Sequence, residues 1–383
     1  MRVIRCDGSP EAVGDLDAAV RAMLAGGEAV APLGAGQATP PQDPGPGRIV
    51  LGTSGSTGAA KWVVLSAAAL SASATATHAR LGGPGRWLLA LPAQHVAGLQ
   101  ILVRGALAGI RPAVLDLRGG FDPAEFSAAA QRVAADNQRC YTALVPTQLA
   151  RLLDADPDPL THLNAVLLGG AATPEALLNR ARKAGVRVVT TYGMTETAGG
   201  CVYDGWPLAG VQVRVSGDPG SVELAGPMLA SGYLGAPEPT ATAFRDGWYQ
   251  TSDLGRCDGE GRLQVLGRTD DVIVTGGLNV APAEVEAVLT GLPGVAAAAV
   301  VGLPDPEWGE RVTAVVVPAD PARPPDPGAL RLAARQLLTM AQVPKEIVLM
   351  DALPLHGIGK PDRSALRTML AARVSSAHRV THL

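Results

Sequence analysis

The stretch Arg48-Ile-Val-Leu-Gly-Thr-Ser-Gly-Ser-Thr-Gly-Ala-Ala-Lys61 decides how the rest of the chain is read. Its apolar start reads as a short strand, and the strand delivers the backbone directly into a loop of glycine, serine and threonine that closes on one lysine. Glycines let a backbone approach an anion closely. Successive N–H groups, the hydroxyls of Thr53, Ser54, Ser56 and Thr57, and the Lys61 ammonium together suit a polyphosphate. The loop is not of the GxxxxGK[ST] kind, because Ala60 and Trp62 stand where that pattern needs glycine and a hydroxyl. An ordinary Gly/Ser turn satisfies the same letters, so the segment has to be weighed with others.

Around it lie 383 residues, long enough for one large domain and one smaller one. The 46 glycines and 31 prolines make up about a fifth of the chain, below the share expected of low-complexity disorder. A net charge of −3 offers no broad attraction to nucleic acid or to an anionic membrane, so neither is an expected partner. Cys6, Cys140, Cys201 and Cys257 are too scattered for a CxxC metal pattern or a disulfide framework, which fits reduced thiols and a cytoplasmic location. The first residues turn acidic before any apolar run develops, unlike a secretory signal. The most apolar stretch, 96–117, carries Arg104, Arg111, Pro112 and Asp116 and makes a poor bilayer span.

Along the chain, 11–24 has helical apolar spacing and the Pro/Gly-rich run 35–47 reads as a loop. Short apolar runs at 87–91 and 165–168, with helical patterns between and after them, including 173–184, predict a mixed α/β layer structure. After Val211 short strands and turns predict a small β-rich unit, with a hairpin-like segment beginning at Gly259. Beyond Arg268 a new alternation begins: 272–275, a helix at 282–289, runs at 295–302 and 312–317, a Pro-rich loop, then helical 329–338. The expected division is therefore 1–268 and 269–383.

Four further segments bear chemistry. Thr191-Tyr-Gly-Met-Thr-Glu196 packs an aromatic ring, a glycine, a hydroxyl and a carboxylate into six residues, which could stack on a base, contact phosphate and hold Mg2+; an exposed turn would also fit. In Gly247-Trp-Tyr-Gln-Thr-Ser-Asp253 the acid could accept both hydroxyls of a ribose, although aspartate also favours plain turns. The segment 267–279 joins a cation, two acids and paired glycines across the expected boundary. Leu353-Pro-Leu-His-Gly-Ile-Gly-Lys360 presents one lysine on a Gly/Pro-framed loop.

In this order the five segments resemble the acyl-adenylate-forming (AMP-binding) superfamily of acyl- and aryl-CoA ligases, luciferases and adenylation domains. The resemblance runs from Gly52 to Arg363 and includes Gly169-Gly-Ala171, 220–233 and the helix start at 282–286. Within it, Leu91-Pro-Ala-Gln-His95-Val-Ala-Gly-Leu-Gln-Ile-Leu-Val-Arg104 and 193–203 look most like the o-succinylbenzoate-CoA ligases of menaquinone biosynthesis. This implies an α/β fold: a large N-terminal adenylate-forming domain of layered sheets and helices, shortened at its start because only about 50 residues precede the loop, a small β-rich subdomain, and a mobile α+β C-terminal lid.

The same resemblance implies a ligase that uses ATP, Mg2+ and CoA to convert o-succinylbenzoate to its CoA thioester through an acyl-adenylate. Thr53, Ser54, Ser56, Thr57 and Lys61 would meet the β- and γ-phosphates, Thr195 the α-phosphate, and Glu196 the metal. Gly169, Gly170, Ala171 and Tyr192 would bracket adenine, and Asp253 and Arg268 would hold the ribose. Lys360 would bridge carboxylate and α-phosphate, and Asp270 would be the hinge about which the lid rotates before the thiol attacks. His95 and Arg104 would bind the acid, Arg104 by pairing with its second carboxylate. Ala60 stands where proline is usual, and Ser252 where glycine usually precedes the ribose-binding acid. Another acyl- or aryl-CoA ligase, a carrier-loading enzyme or a non-catalytic nucleotide-binding protein would share these features, and a homodimer is left open.

Overall fold

The structure is a computed structural model that describes residues 1–53, 61–135, 138–356 and 360–380, of which 355, 356, 360 and 373–380 as backbone alone. The first helix, Pro10–Leu24, starts where the Ser9 hydroxyl accepts the Ala12 N–H at 3.1 Å, and it buries Val13, Leu16, Ala19, Val20 and Met23 along one stripe. That stripe faces a five-stranded sheet in the order Arg2–Arg5, Val30–Leu33, Arg48–Thr53, Lys61–Ser66, Gly232–Tyr233. The stretch Arg48–Thr53 extends two residues beyond its apolar start and pairs antiparallel with Lys61–Ser66, so Thr53 and Lys61 sit opposite each other across the loop.

A second sheet has seven strands in the order Trp206–Pro207, Gly199–Tyr203, Val188–Met194, Ala165–Leu168, Cys140–Leu144, Arg86–Leu89, Ala113–Val114. Its last five strands are mutually parallel. Cys140–Leu144 and Ala165–Leu168 are buried at every residue, and the second of them reads as an unbroken apolar run for that reason. Helices Pro123–Ala134, Pro146–Ala155 and Glu175–Lys183 cover one face through a core that includes Phe126, Leu149 and Leu178. The other face meets Ala67–Arg80 and Val96–Ala108, and this core joins it to the first sheet.

Val96–Ala108 is buried at every position from Gly98 to Arg104 and on to Gly105, because it runs between two layers. The most apolar stretch of the sequence, expected to make a poor bilayer span, thus begins with an internal helix, and among the described residues no helix is long and apolar enough to cross a membrane. The helix ends at Gly109, whose φ of 69° gives the left-handed turn a side chain would resist.

The β-rich unit is an antiparallel sheet in the order Gln212–Gly217, Gly220–Ala225, Trp248–Cys257, Phe244–Arg245, with Leu263–Arg268 paired to Trp248–Cys257. A further sheet, Leu278–Val280, Ile273–Thr275, Gly309–Pro318, Val295–Asp305, with Glu346–Leu349 parallel to Gly309–Pro318, carries Pro282–Thr290 and Pro327–Ala334 on one core and Arg363–Val380 on another. Leu355–His356 pairs with Lys360–Pro361 as a small hairpin just before that last helix.

Candidate active site

Loops leaving the carboxyl ends of parallel strands are where open α/β sheets gather ligands. Three expected segments leave the seven-stranded sheet there: His95 after Arg86–Leu89, Gly169 to Ala171 after Ala165–Leu168, and Thr195 and Glu196 after Val188–Met194. Gly169 lies so close to the neighbouring strand that a Cβ would come within 2.3 Å of the Thr191 hydroxyl, and Gly170 takes φ 81°. Glycine is required at both.

Tyr192 leaves the same strand toward the β-rich sheet, and its hydroxyl donates to Asp253 Oδ2 at 2.7 Å. Burial, with the Asp253 charge beside it, pushes the Tyr192 phenol far above its ordinary value, so it stays a donor. Asp253 and Arg268 are cross-strand partners, and Asp253 Oδ1 lies 3.9 Å from the guanidinium. Arg268 also reaches Asp270 at 3.3 Å, in the short turn Thr269–Asp271, and Thr269 ties that turn to the carbonyl of Ser252 at 3.1 Å. Tyr192, Asp253, Arg268 and Asp270, more than seventy positions apart at the extremes, therefore form one chain of contacts.

Glu196 sits in the Thr195–Thr197 turn, only 9% exposed. Tyr233 donates its hydroxyl to Glu196 Oε1 at 3.0 Å, and the Lys61 ammonium stands 5.2 Å from the centre of the Tyr233 ring. Burial and the Glu196 carboxylate raise the Tyr233 phenol to about 12 and push Tyr249 higher still. Among the described residues no Lys, Arg or His lies within ion-pair distance of Glu196, and no three His, Cys, Asp or Glu side chains form a metal cage. A buried carboxylate with hard oxygen donors and no cation fits Mg2+, which takes one or two carboxylates and completes its shell with phosphate and water.

The turn ends at Ala198, a non-glycine residue at φ 50°. Its carbonyl accepts from the Ser73 hydroxyl at 3.0 Å and from Gln100 Nε2 at 2.8 Å, both donors buried and each on a different helix. Two helices of the interior thus hold a strained backbone in place.

His95 caps the amino end of Val96–Ala108, and the surrounding protein lowers its pKa although part of the ring meets solvent. Arg104 lies further along the same helix, 3% exposed, and makes no contact with the two contact groups just described. Its guanidinium stacks on Trp87 at 4.7 Å and among the described residues reaches only hydroxyls, Thr77 at 3.3 Å and Tyr203 at 3.5 Å, while Nε finds no partner there. Burial pulls its pKa down.

Thr53 donates to the Lys61 carbonyl at 3.3 Å. Ser54, Ser56 and Thr57 lie outside the described residues, and Lys360 is described only as backbone paired with His356. After that hairpin, Arg363 binds Glu286 at 2.6 Å and lies 3.7 Å from Asp271, beside Asp270. Sequence reasoning passed over Tyr233, Ser73 and Gln100. The Gly232-Tyr233 pair lay inside a matching segment, but nothing in the letters linked it to Glu196.

Residues 5–234 match the AMP-binding enzyme family and residues 284–360 its C-terminal domain. A probable 2-succinylbenzoate–CoA ligase of Mycobacterium tuberculosis is 47% identical over 323 residues, covering 83% of each chain. The o-succinylbenzoate CoA synthetase (MenE) of Bacillus subtilis with the acyl-adenylate intermediate OSB-AMP superposes with a TM-score of 0.74 at 30% identity, over 83% of this chain and 68% of that one. The same enzyme with ATP and magnesium ion gives 0.73 at 30% identity, over 83% and 69%. With both parts matched in order on a layered α/β fold, the chain belongs to the AMP-binding enzyme family.

Proposed function

We propose that this chain is an AMP-forming acid–thiol ligase that converts 2-succinylbenzoate, ATP and CoA to 2-succinylbenzoyl-CoA, AMP and pyrophosphate. The observation that carries the reading is that Tyr249 bridges two contact groups, Tyr192–Asp253–Arg268 and Glu196–Tyr233–Lys61, feeling the charge of both Asp253 and Glu196 and bonding to Tyr233. The 47% identity to a probable 2-succinylbenzoate–CoA ligase supports the choice of acid.

A carboxylate is a poor electrophile, and transfer to AMP gives it a good leaving group. In our reading Asp253 accepts the ribose hydroxyls, with Tyr192 and Arg268 fixing its two oxygens, and adenine lies between Gly169–Ala171 and Tyr192. Thr53, Ser54, Ser56, Thr57 and Lys61 receive the β- and γ-phosphates and Thr195 the α-phosphate. Glu196 would hold Mg2+, which when bound neutralises phosphate charge as pyrophosphate leaves. Lys360 steadies the charge that develops between the attacking carboxylate and the α-phosphate. His95 borders the acid, and the guanidinium of Arg104, which meets no carboxylate among the described residues, offers a buried partner for the second carboxylate.

We divide the chain at 268/269 into an ATP- and acyl-binding part and a lid, with Asp270 as the hinge that withdraws Lys360 before CoA enters. We place the protein in the cytoplasm and leave room for a homodimer, to be read by sedimentation. The central test is pyrophosphate release with ATP and CoA, comparing 2-succinylbenzoate with benzoate and fatty acids. Preference for 2-succinylbenzoate supports the reading; ATP binding with no acid-dependent pyrophosphate release sinks it.

A further inference from the structure

Tyr233 contacts both Lys61, assigned above to the phosphates, and Glu196, assigned to the metal, yet has no role of its own in that function. It occupies the two-residue strand Gly232–Tyr233, held against Lys61–Ser66 by the pairings Gly232 to Val64 and Tyr233 to Val63. Gly232 has φ 128°, and a Cβ there would lie 2.3 Å from the Thr240 side chain, so the strand can enter only with glycine at this place. Thr240 in turn accepts the Tyr233 N–H at 2.9 Å, and Phe244 packs on the ring with centroids 5.9 Å apart. The ring is fixed on its backbone side and on one face.

From that fixed position the hydroxyl donates to Glu196 Oε1, while Ala230, three residues earlier, donates its N–H to the Glu196 carbonyl at 2.8 Å. The segment 230–233 thus holds Glu196 by both backbone and side chain. Glu196 Oε2 accepts no hydrogen bond from the described residues, leaving one oxygen committed and the other open. The ring meanwhile seats the Lys61 ammonium.

Resting on the ligase reading, we propose that Tyr233 is a positioning residue of the phosphate site: its hydroxyl fixes Glu196 through Oε1 and leaves Oε2 free for the metal that Glu196 would hold, and its ring holds Lys61. Side chains that orient a metal ligand in this way typically control affinity by about 10- to 100-fold. The two contacts separate by substitution. Tyr233→Phe removes the hydroxyl and keeps the ring; Tyr233→Leu removes both.

The test is Mn2+ uptake by the ATP-loaded protein, followed by electron paramagnetic resonance, beside calorimetric binding of ATP in EDTA. Tyr233→Phe should weaken Mn2+ by about tenfold or more and leave metal-free ATP binding unchanged, whereas Tyr233→Leu should weaken both. In a Glu196→Gln background, Tyr233→Phe should add nothing, which separates action through Glu196 from general loosening of the fold. Mn2+ affinity unmoved by Tyr233→Phe, or an equal fall in metal-free ATP binding, overturns the proposal. A wild-type protein that takes up ATP but no Mn2+ overturns the ligase reading and this one together.

Discussion

Arg104→Met keeps an apolar stem of similar length on Val96–Ala108 and deletes the guanidinium. In the acid-free protein that group is 3% exposed, faces no carboxylate among the described residues and leaves Nε without a partner. Its removal relieves a desolvation cost and forfeits the stacking on Trp87, worth about 2 kcal/mol where water is excluded. Two hydroxyl contacts at 3.3 and 3.5 Å are lost as well, both at the long end of hydrogen-bond range. These terms nearly cancel, so the thermal midpoint should move little or rise. With the diacid bound the balance changes, because truncating one member of a buried, hydrogen-bonded charge pair costs about 2–5 kcal/mol. At about 1.4 kcal/mol per decade this is a loss of about 30-fold to several thousand-fold in kcat/KM for 2-succinylbenzoate. Pyrophosphate release measured on 2-succinylbenzoate and on benzoate should show the fall only for the first, with ATP affinity unchanged. Equal losses on both acids, or a collapsed midpoint, would refute pairing between Arg104 and a carboxylate.

Tyr192→Phe removes a 2.7 Å bond to a charged acceptor and should raise the KM for ATP by about tenfold, with thioester formation from supplied acyl-adenylate preserved. Lys360→Ala should cripple adenylate formation by about 10²–10³ while sparing that second half-reaction; equal loss of both would break the two-state division. Arg363→Ala strands the half-buried Glu286 and should cost about 3–5 kcal/mol by urea unfolding, with Glu286→Gln in the same chain recovering part of it. Chelation by EDTA should abolish pyrophosphate release, and added Mg2+ should restore it.

The elements with clear patterns were legible in advance: Pro10–Leu24 departs from its expected start by one residue, and the strands Arg86–Leu89 and Ala165–Leu168 fall on the expected apolar runs, whereas Cys140–Leu144, broken by Thr142, did not stand out. Arg2–Arg5 was not, because two of its four residues are arginine and it becomes a strand only by lying against Val30–Leu33. Arg363–Val380, whose apolar residues, several of them alanine, are interspersed with arginines, gives a weak stripe and was also missed. At the site, motif letters pointed to Tyr192, Glu196 and Asp253, but the 2.7 Å contact between strands 61 positions apart depends on sheet order. Tyr233 was hidden for the same reason. Arg104 was expected to pair with the second carboxylate of the acid, and its seat on Trp87 came only with the packing of Val96–Ala108 between two sheets.

The shared grip of Ser73 and Gln100 on the Ala198 carbonyl has a practical meaning for anyone who wishes to retarget the enzyme. Gln100 rides on the same helix as His95 and Arg104, so, if that helix lines the acid site as proposed, changing it also tugs on the bend that carries Thr195 and Glu196. Substrate choice and turnover should therefore drift together in selected variants, and a broadened acid range should be reached with least loss of speed by editing walls contributed by other parts of the molecule.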